Sequence, residues 1–361
     1  FEKSQNIHIT NSNRHQVVEI LRAISELIVY GAQGPDCERI FDYFCEKNML
    51  SIFTRMLAAR PGCGDSVKRQ IIQTMSILVQ NISNDTYFYY LLSNNHINEI
   101  ISHPFDLSNE DVLAHYVSFL KMLSLKLNTN TVQFFFNHAT ESFPLFTEAS
   151  KLIVHPENMV RTHIRNLTLN VYRVAASEGN VREYLRTNSN GFVVLEKLAY
   201  WLRDQSNILG RFLQVNGGTI MAGSHSPERI KEMANDVIDE IYYIQDVFST
   251  NIPGVQAKLS DSMLENVYFP VLIDGLRNIH SNGGGEVDGK SWGPDCCVDG
   301  DEAGAHGRGA MGSLLAMFLL TQSLLVLNSK RLSSAIAAAT IGLEPVRLVD
   351  WIVGAKSSGG G

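Results

Sequence analysis

The chain has 361 residues, of which 45% are hydrophobic and 19% are charged, and its formal net charge is −7. This length and apolar content suffice for a large core, and an acidic chain without a basic stripe is a poor candidate for nucleic-acid or anionic-membrane binding. The five cysteines include no C-x-x-C pair, so neither a disulfide framework nor a zinc site of that type is predicted.

The N-terminal residues carry an apolar stripe at helical spacing, formed by Val17, Leu21, Ile24 and Ile28. Spacings of i, i+4, i+7 and i+11 predict an amphipathic helix, and Gly31 suits its C-terminal end. Similar patterns predict further short or medium helices around Phe41, Phe53, Ile71, Tyr89 and Ile97.

The middle of the chain continues this pattern. Ser108, with Asp111 three residues later, resembles a capping box at the start of a helix that carries Leu120 and Leu123. Pro144 suits the first position of another helix, since its fixed φ is helical and its missing N–H is not needed there. The longest stripe consists of Val160, Ile164, Leu167, Val171 and Val174.

Beyond residue 190 the predicted helices lie at roughly 192–213, at 228–248 and as a pair within 255–279 broken near Pro270. Residues 281–310 are dense in Gly, Asp and Ala, and we expect a flexible loop there. The uncharged run 311–327 is shorter than the ~20 residues that span a bilayer, so a buried helix is favoured and an integral membrane segment is the alternative.

Four segments resemble one another at near-constant spacing: 23–30, 74–81, 121–128 and 165–172. Counted between their first residues, the offsets are 51, 47 and 44. Periods near 40–47 are typical of armadillo and HEAT arrays, in which stacked helical units bury one continuous core. The sequence therefore predicts an all-α, armadillo/HEAT-like α-solenoid, with these segments in equivalent inner positions.

Motifs for catalysis are missing from the sequence, which contains no G-x-x-x-x-G-K-[ST], no G-x-S-x-G and no H-E-x-x-H. Cys37 and Cys45 could approach His15, but a small buried hydrophobe is the commoner role for such cysteines. We therefore predict no catalytic, cofactor-binding or metal-binding residues and a protein that is not an enzyme. Arg161 and Arg165, one helical turn apart, either hold an acidic partner or pair with carboxylates of an adjacent repeat.

Six strings in a fixed order resemble the FPL family, named for its Phe-Pro-Leu motif, which is Phe143-Pro144-Leu145 here. They are Tyr89–Asn95, Tyr116–Lys121, Ser124–Asn128, Phe143–Ala149, His155–Thr162 and Leu167–Tyr172. The core of the resemblance covers about residues 13–175, and the strings look most similar to the plant form of the family.

The resemblance implies cytosolic proteins that associate peripherally, through partners, with Golgi, endosomal and lysosomal or vacuolar membranes. They act in vesicle traffic and autophagy, with tethering-complex or Rab-type factors as protein partners. A non-catalytic scaffold is thus expected, and a component of a ubiquitin-ligase complex is the alternative. The family supplies no catalytic residues, and the oligomeric state stays open.

The resulting domain prediction has five segments: an FPL domain at 1–175, continuing helical repeats at 176–280, the Gly-rich loop at 281–310, C-terminal helices at 311–356 and a linker end at 357–361. Phe143, Pro144 and Leu145 are expected to be primarily structural, with Phe143 and Leu145 packed near Phe135. The alternative is an exposed docking patch for a peptide.

Overall fold

The computed structural model describes residues 9–32, 37–58, 64–82, 85–216, 227–273 and 313–340. These residues are predominantly helical and contain no β-strand beyond an isolated bridge between Asn137 and Ser142. The all-α prediction is therefore confirmed. By its internal contacts the chain divides into two compact units, residues 1–194 and 195–361, which are described separately.

The first unit is built from eleven helices among its described residues, and α12 begins within it. Their bounds are α1 Arg14–Ala32, α2 Cys37–Glu46, α3 Met49–Ala58, α4 Asp65–Asn81, α5 Asp85–Ser93, α6 His96–Ile101, α7 Glu110–Leu125, α8 Val132–Phe135, α9 Pro144–Lys151, α10 Asn158–Ser177, α11 Gly179–Thr187 and α12 Ser189–Asn216.

Two rows of helices run through this unit. The long helices α1, α4, α7 and α10 pack against one another in chain order, and the short helices α3, α6 and α9 do the same beside them. Every third helix is thus equivalent, which is the arrangement of a three-helix solenoid repeat. The four similar sequence segments lie in successive long helices or at their ends, so the repeat prediction is confirmed.

Apolar stripes explain why the long helices pack in this way. The stripe of α10 is buried from Val160 to Val174, and Leu120 and Leu123 of α7 and Leu167 of α10 are 0–1% exposed. Each helix between two neighbours buries side chains on two sides, which a single helix pair cannot do. The core therefore continues from one repeat to the next.

Small hydroxylated side chains lie where the long helices meet. Ser25, Thr74, Ser124 and Thr168 are all buried. The hydroxyl oxygens of Ser25 and Thr74 are 2.8 Å apart, across the α1–α4 contact, and Ser25 also donates to the Leu21 carbonyl. Because the side chains at a contact set the distance between helix axes, such small residues permit close packing. Their hydrogen bonds remove the cost of burying a hydroxyl.

The ends of α7 differ from the sequence prediction. Asn109, and not Ser108, caps its start: the Asn109 side chain accepts hydrogen bonds from the backbone N–H groups of Asp111 and Val112, while Ser108 bonds to Asp106. At the other end the helix stops at Leu125, and Lys126 is the C-cap residue, whose backbone N–H bonds to the Leu123 and Ser124 carbonyls. Its ammonium donates to the Ile82 carbonyl at 3.1 Å, which ties the end of α7 to the end of α4.

The second unit contains the remaining helices. Besides the continuation of α12, these are α13 Pro227–Ser249, α14 Pro253–Met263, a π-helical segment Leu264–Ile273, α15 Ser313–Val326 and α16 Lys330–Thr340. The π-helical segment contacts α14, α15 and α16, and α13 contacts α14 and α15. An ion pair between Arg331 and Asp261 joins α16 to α14.

Pro270 does not break the helix as the sequence predicted. It lies inside the π-helical segment, whose backbone continues through it. The proline ring clashes with the preceding turn of an α-helix, and the wider π turn leaves more room for it. Tyr268 of this segment is fully buried, and burial raises the pKa of its hydroxyl.

Helix α15, for which the sequence favoured a buried helix, is buried on one side only. Ala316, Leu319 and Leu320 are buried, while Met317 and Leu325 are 55% and 74% exposed. The helix has 14 residues, and no helix in the described part of the chain is long and apolar enough to span a membrane.

The predicted domain boundaries at 175 and 280 stay predictions, although the first compact unit extends to Val194. The Gly-rich segment 281–310 and the linker end 357–361 lie outside the described residues, as do parts of the predicted segment 311–356.

We expect Leu123→Ala to lower the free energy of unfolding by about 2–5 kcal/mol, because it opens a cavity between neighbouring long helices. Leu125→Ala, two residues away on the same helix, is the matched control, since Leu125 is 61% exposed. That control should change stability by less than about 0.5 kcal/mol in urea denaturation. Equal effects of the two substitutions would show that the register of α7 is wrong.

Candidate interaction surface of the helical array

The Phe-Pro-Leu motif forms the start of α9. Phe143 is the N-cap residue, and Pro144 follows at the start of the helix, as the sequence predicted. The side chains of Phe143 and Leu145 are both 0% exposed. This burial agrees with the structural interpretation of the motif and leaves no exposed Phe-Leu pair for a peptide to dock on.

Aromatic side chains surround Phe143. Its ring centroid lies 5.9 Å from that of Phe136, 6.1 Å from Phe146 and 6.1 Å from Tyr184, and Phe146 in turn meets Tyr172 edge-on. Phe136 is the C-cap residue of α8 and follows Phe135, around which the sequence predicted this contact. Tilted and edge-to-face aromatic pairs at these distances add stability beyond that from the burial of apolar surface. The motif therefore stabilises the packing of α9 against α8, α10 and α11.

Arg161 and Arg165 are buried, at 4% and 8% exposure. The Arg161 guanidinium donates to the carbonyl oxygens of His155 and Pro156, at 3.0 and 2.6 Å, and so holds the turn that leads into α10. The Arg165 carbonyl accepts a hydrogen bond from Thr168. These two hydrogen bonds join Arg161 to backbone carbonyls of its own repeat, and the predicted pairing with carboxylates of an adjacent repeat stays a prediction. Any contact of this pair with an acidic partner stays a proposal.

The exposed residues of the long helices form parallel stripes. On α7 these include Ser118 and the half-exposed His115 and Lys121, and on α10 they include Asn166 and Arg173. A salt bridge of 2.7 Å between Arg69 of α4 and Asp111 of α7 crosses from one stripe to the next. This salt bridge therefore joins the exposed residues of two successive repeats, a link that the sequence analysis did not identify.

Three half-exposed histidines on this side of the unit each have a cation nearby. The pKa values of His103, His115 and His163 are all lowered, mainly by burial and then by Lys68, Arg69 and Lys121 respectively. Asp111 acts in the opposite direction on His115. Because their pKa values are lowered, the three imidazoles are uncharged at neutral pH.

Cys45 is half-buried, and its thiol pKa is raised to about 12, first by burial and then by Asp42. A thiol with such a pKa is protonated at neutral pH and is a poor nucleophile. In the described part of the chain no group of three or more His, Cys, Asp or Glu side chains could hold a metal ion.

For the motif, we expect Phe143→Ala with Leu145→Ala to lower the free energy of unfolding by at least about 3–5 kcal/mol, the usual loss for one buried Phe. Met159→Ala is the control, because Met159 is 63% exposed. A double variant that keeps its stability in urea yet no longer associates with membranes in cells would instead make the motif a binding site.

For the histidines, the sign of the pH effect follows from their lowered pKa values. Their stabilising contribution is present above the ordinary histidine pKa of 6.5 and is lost as the pH falls through the lowered folded-state values. We expect urea midpoints to drop between about pH 7.5 and about pH 5.5, and to drop less in a His115→Gln, His163→Gln variant. The exposed His15→Gln is the control, and an equal reduction by that control would refute this assignment.

Comparisons with known proteins match this architecture to one family. The model of the FPL family, described as an uncharacterised conserved protein, matches residues 21–172. Protein CLEC16A of Mus musculus is 36% identical over 280 residues, covering 78% of this chain and 26% of that protein. Protein TRANSPARENT TESTA 9 of Arabidopsis thaliana is 32% identical over 282 residues, covering 76% of this chain and 32% of that protein.

The Drosophila melanogaster protein CLEC16A homolog is 36% identical over 272 residues, with 75% of this chain and 25% of that protein covered. The chain therefore spans about a quarter to a third of the length of the curated relatives it matches. Both animal and plant forms are represented, and the Phe-Pro-Leu motif at Phe143–Leu145 falls within the matched range. Residues 21–172 of this chain are an FPL domain, and through them the chain belongs to the FPL family.

Proposed function

We propose that this chain is a non-catalytic scaffold in endomembrane traffic, between Golgi or endosomes and the lysosome or vacuole, and in autophagy. Family membership supports the cellular setting, because the resemblance to FPL proteins implies peripheral association with these membranes. Tethering-complex or Rab-type factors are the partners that this resemblance implies.

The observation that carries the proposal is the set of exposed polar residues on the successive helices α4, α7 and α10, of which Arg69 and Asp111 form a salt bridge between α4 and α7. Arrays of helical repeats present extended surfaces of this kind, and they use them to bind partners along many repeats. The Phe-Pro-Leu motif and Arg161 lie inside the array, where they fix the positions of α9 and α10. Their contribution to binding is therefore indirect: they hold the helices that form the surface.

The proposal predicts the neighbours of the full chain in its source cell. Proximity labelling with the chain fused to a biotin ligase should enrich tethering factors and Rab GTPases over the ligase alone. Alkaline carbonate should release the chain from membranes, as it does for peripheral proteins. The Phe143→Ala, Leu145→Ala variant serves as a folding-defective control.

Three results would contradict the proposal or its parts. If the chain fused to the biotin ligase labelled the same proteins as the biotin ligase alone, the trafficking role would be contradicted. Retention in the carbonate pellet would favour an integral membrane protein that spans at 311–327. Ubiquitin transfer by the purified chain with E1 and E2 enzymes would favour the ubiquitin-ligase alternative.

A further inference from the structure

Helix α10 has an unusual charge composition for this acidic chain. Its 20 residues include Arg161, Arg165, Arg173 and His163 but no Asp or Glu, whereas the whole chain has a net charge of −7. Arg161 and Arg165 are buried, so the exposed cation of this helix is Arg173. The surface of α10 thus carries positive charge that no carboxylate of the same helix offsets.

The neighbouring helix adds a second cation to the same surface. The Asn170 side chain of α10 donates to the Ser124 carbonyl of α7 at 3.4 Å, and Lys121 lies one turn before Ser124. Lys121 also lowers the pKa of His163 of α10, after the larger effect of burial. Among the described residues neither Lys121 nor Arg173 forms an ion pair, and the Arg173 guanidinium donates to the amide oxygen of Asn170 at 3.0 Å. Two full positive charges therefore remain on this surface.

We propose that the surface formed by Ser118 and Lys121 of α7 and His163, Asn166 and Arg173 of α10, here named the cationic face, docks an extended acidic segment of a partner protein. This inference rests on the proposed scaffold function and specifies the partner's chemistry. Carboxylates of the segment would pair with Lys121 and Arg173, and the amide of Asn166, which is exposed on α10 between positions 163 and 173, would bond its backbone.

The spacing along α10 sets the pattern of the segment. His163, beside Lys121, is ten residues from Arg173, which is about 15 Å along a helix axis. An extended chain covers that distance in about five residues. The cationic face therefore fits a segment with two acidic clusters about five residues apart.

The number of cations favours a protein partner over the other polyanions. Polybasic sites for anionic lipids carry clusters of about 4–8 Lys or Arg residues. Nucleic-acid sites likewise neutralise many phosphates. Two cations with amide and hydroxyl groups around them suit a few carboxylates on one peptide.

The test uses the full chain and two fluorescein-labelled synthetic peptides, measured by anisotropy at low salt. One peptide has glutamate pairs about five residues apart, and the other has glutamines at those positions. We expect binding of the glutamate peptide only, weakening with added salt, and a loss of about tenfold in affinity or more for the Lys121→Gln, Arg173→Gln variant.

The matched control is Lys151→Gln, Arg186→Gln, which also removes two cations from the first unit. Lys151 and Arg186 are engaged with Glu148 and Glu183 on α9 and α11. This variant should bind the glutamate peptide like the parent chain, and circular dichroism melts should show that both variants are folded.

Several outcomes would overturn the inference. Equal binding of the two peptides, no binding of either one, or an equal loss in both variants would each refute it. A lipid surface would be the ligand if phosphatidylserine vesicles bound the parent chain, failed to bind the Lys121→Gln, Arg173→Gln variant and competed with the peptide. If proximity labelling still gives trafficking factors while the peptide fails to bind, the scaffold function stands and the acidic-segment inference alone is wrong.

Discussion

The packing of each long helix against the next one in chain order is the constraint on which the FPL domain depends. A helix such as α7 has apolar residues on two sides, and α4 and α10 cover them. No repeat can therefore be folded in isolation without exposing part of its core. The buried hydroxyls of Ser25 and Thr74 belong to the same constraint, because bulkier side chains would push α1 and α4 apart.

The sequence was sufficient to predict the repeat architecture, because helices that are buried in a stack carry apolar residues at helical spacing. Val160, Ile164 and Leu167 have this spacing, and all three are buried. The period and the similarity of four segments then indicated the class of array. Features that depend on one local hydrogen bond were harder: Asn109 and Ser108 are both good N-cap residues, and periodicity does not choose between them.

The candidate site was less predictable than the fold. Arg161 and Arg165 looked like surface charges, yet they lie on the same side of α10 as Thr168 and Tyr172, which are buried. That i, i+4, i+7, i+11 spacing was available in the sequence as a signal for burial. The cationic face left one signal too, the lack of any acidic residue from Asn158 to Ser177. The position of Lys121 beside α10 depends on the packing of α7 against α10, and the residue pattern of a single helix does not predict that packing.

The row of contacts in the first unit also determines how the domain would respond to mechanical load. Each long helix touches the long helix before it and the one after it, so few contacts join residues far apart in the row. A load applied at the α1 end would first strain the α1–α4 contact, where Thr74 bonds to the Ser25 hydroxyl and to the Leu21 carbonyl, before it reached α7. Such an array would unfold in steps, one repeat at a time, because each repeat contacts only its neighbours. A sheet with long-range strand pairing would instead unfold in one cooperative event.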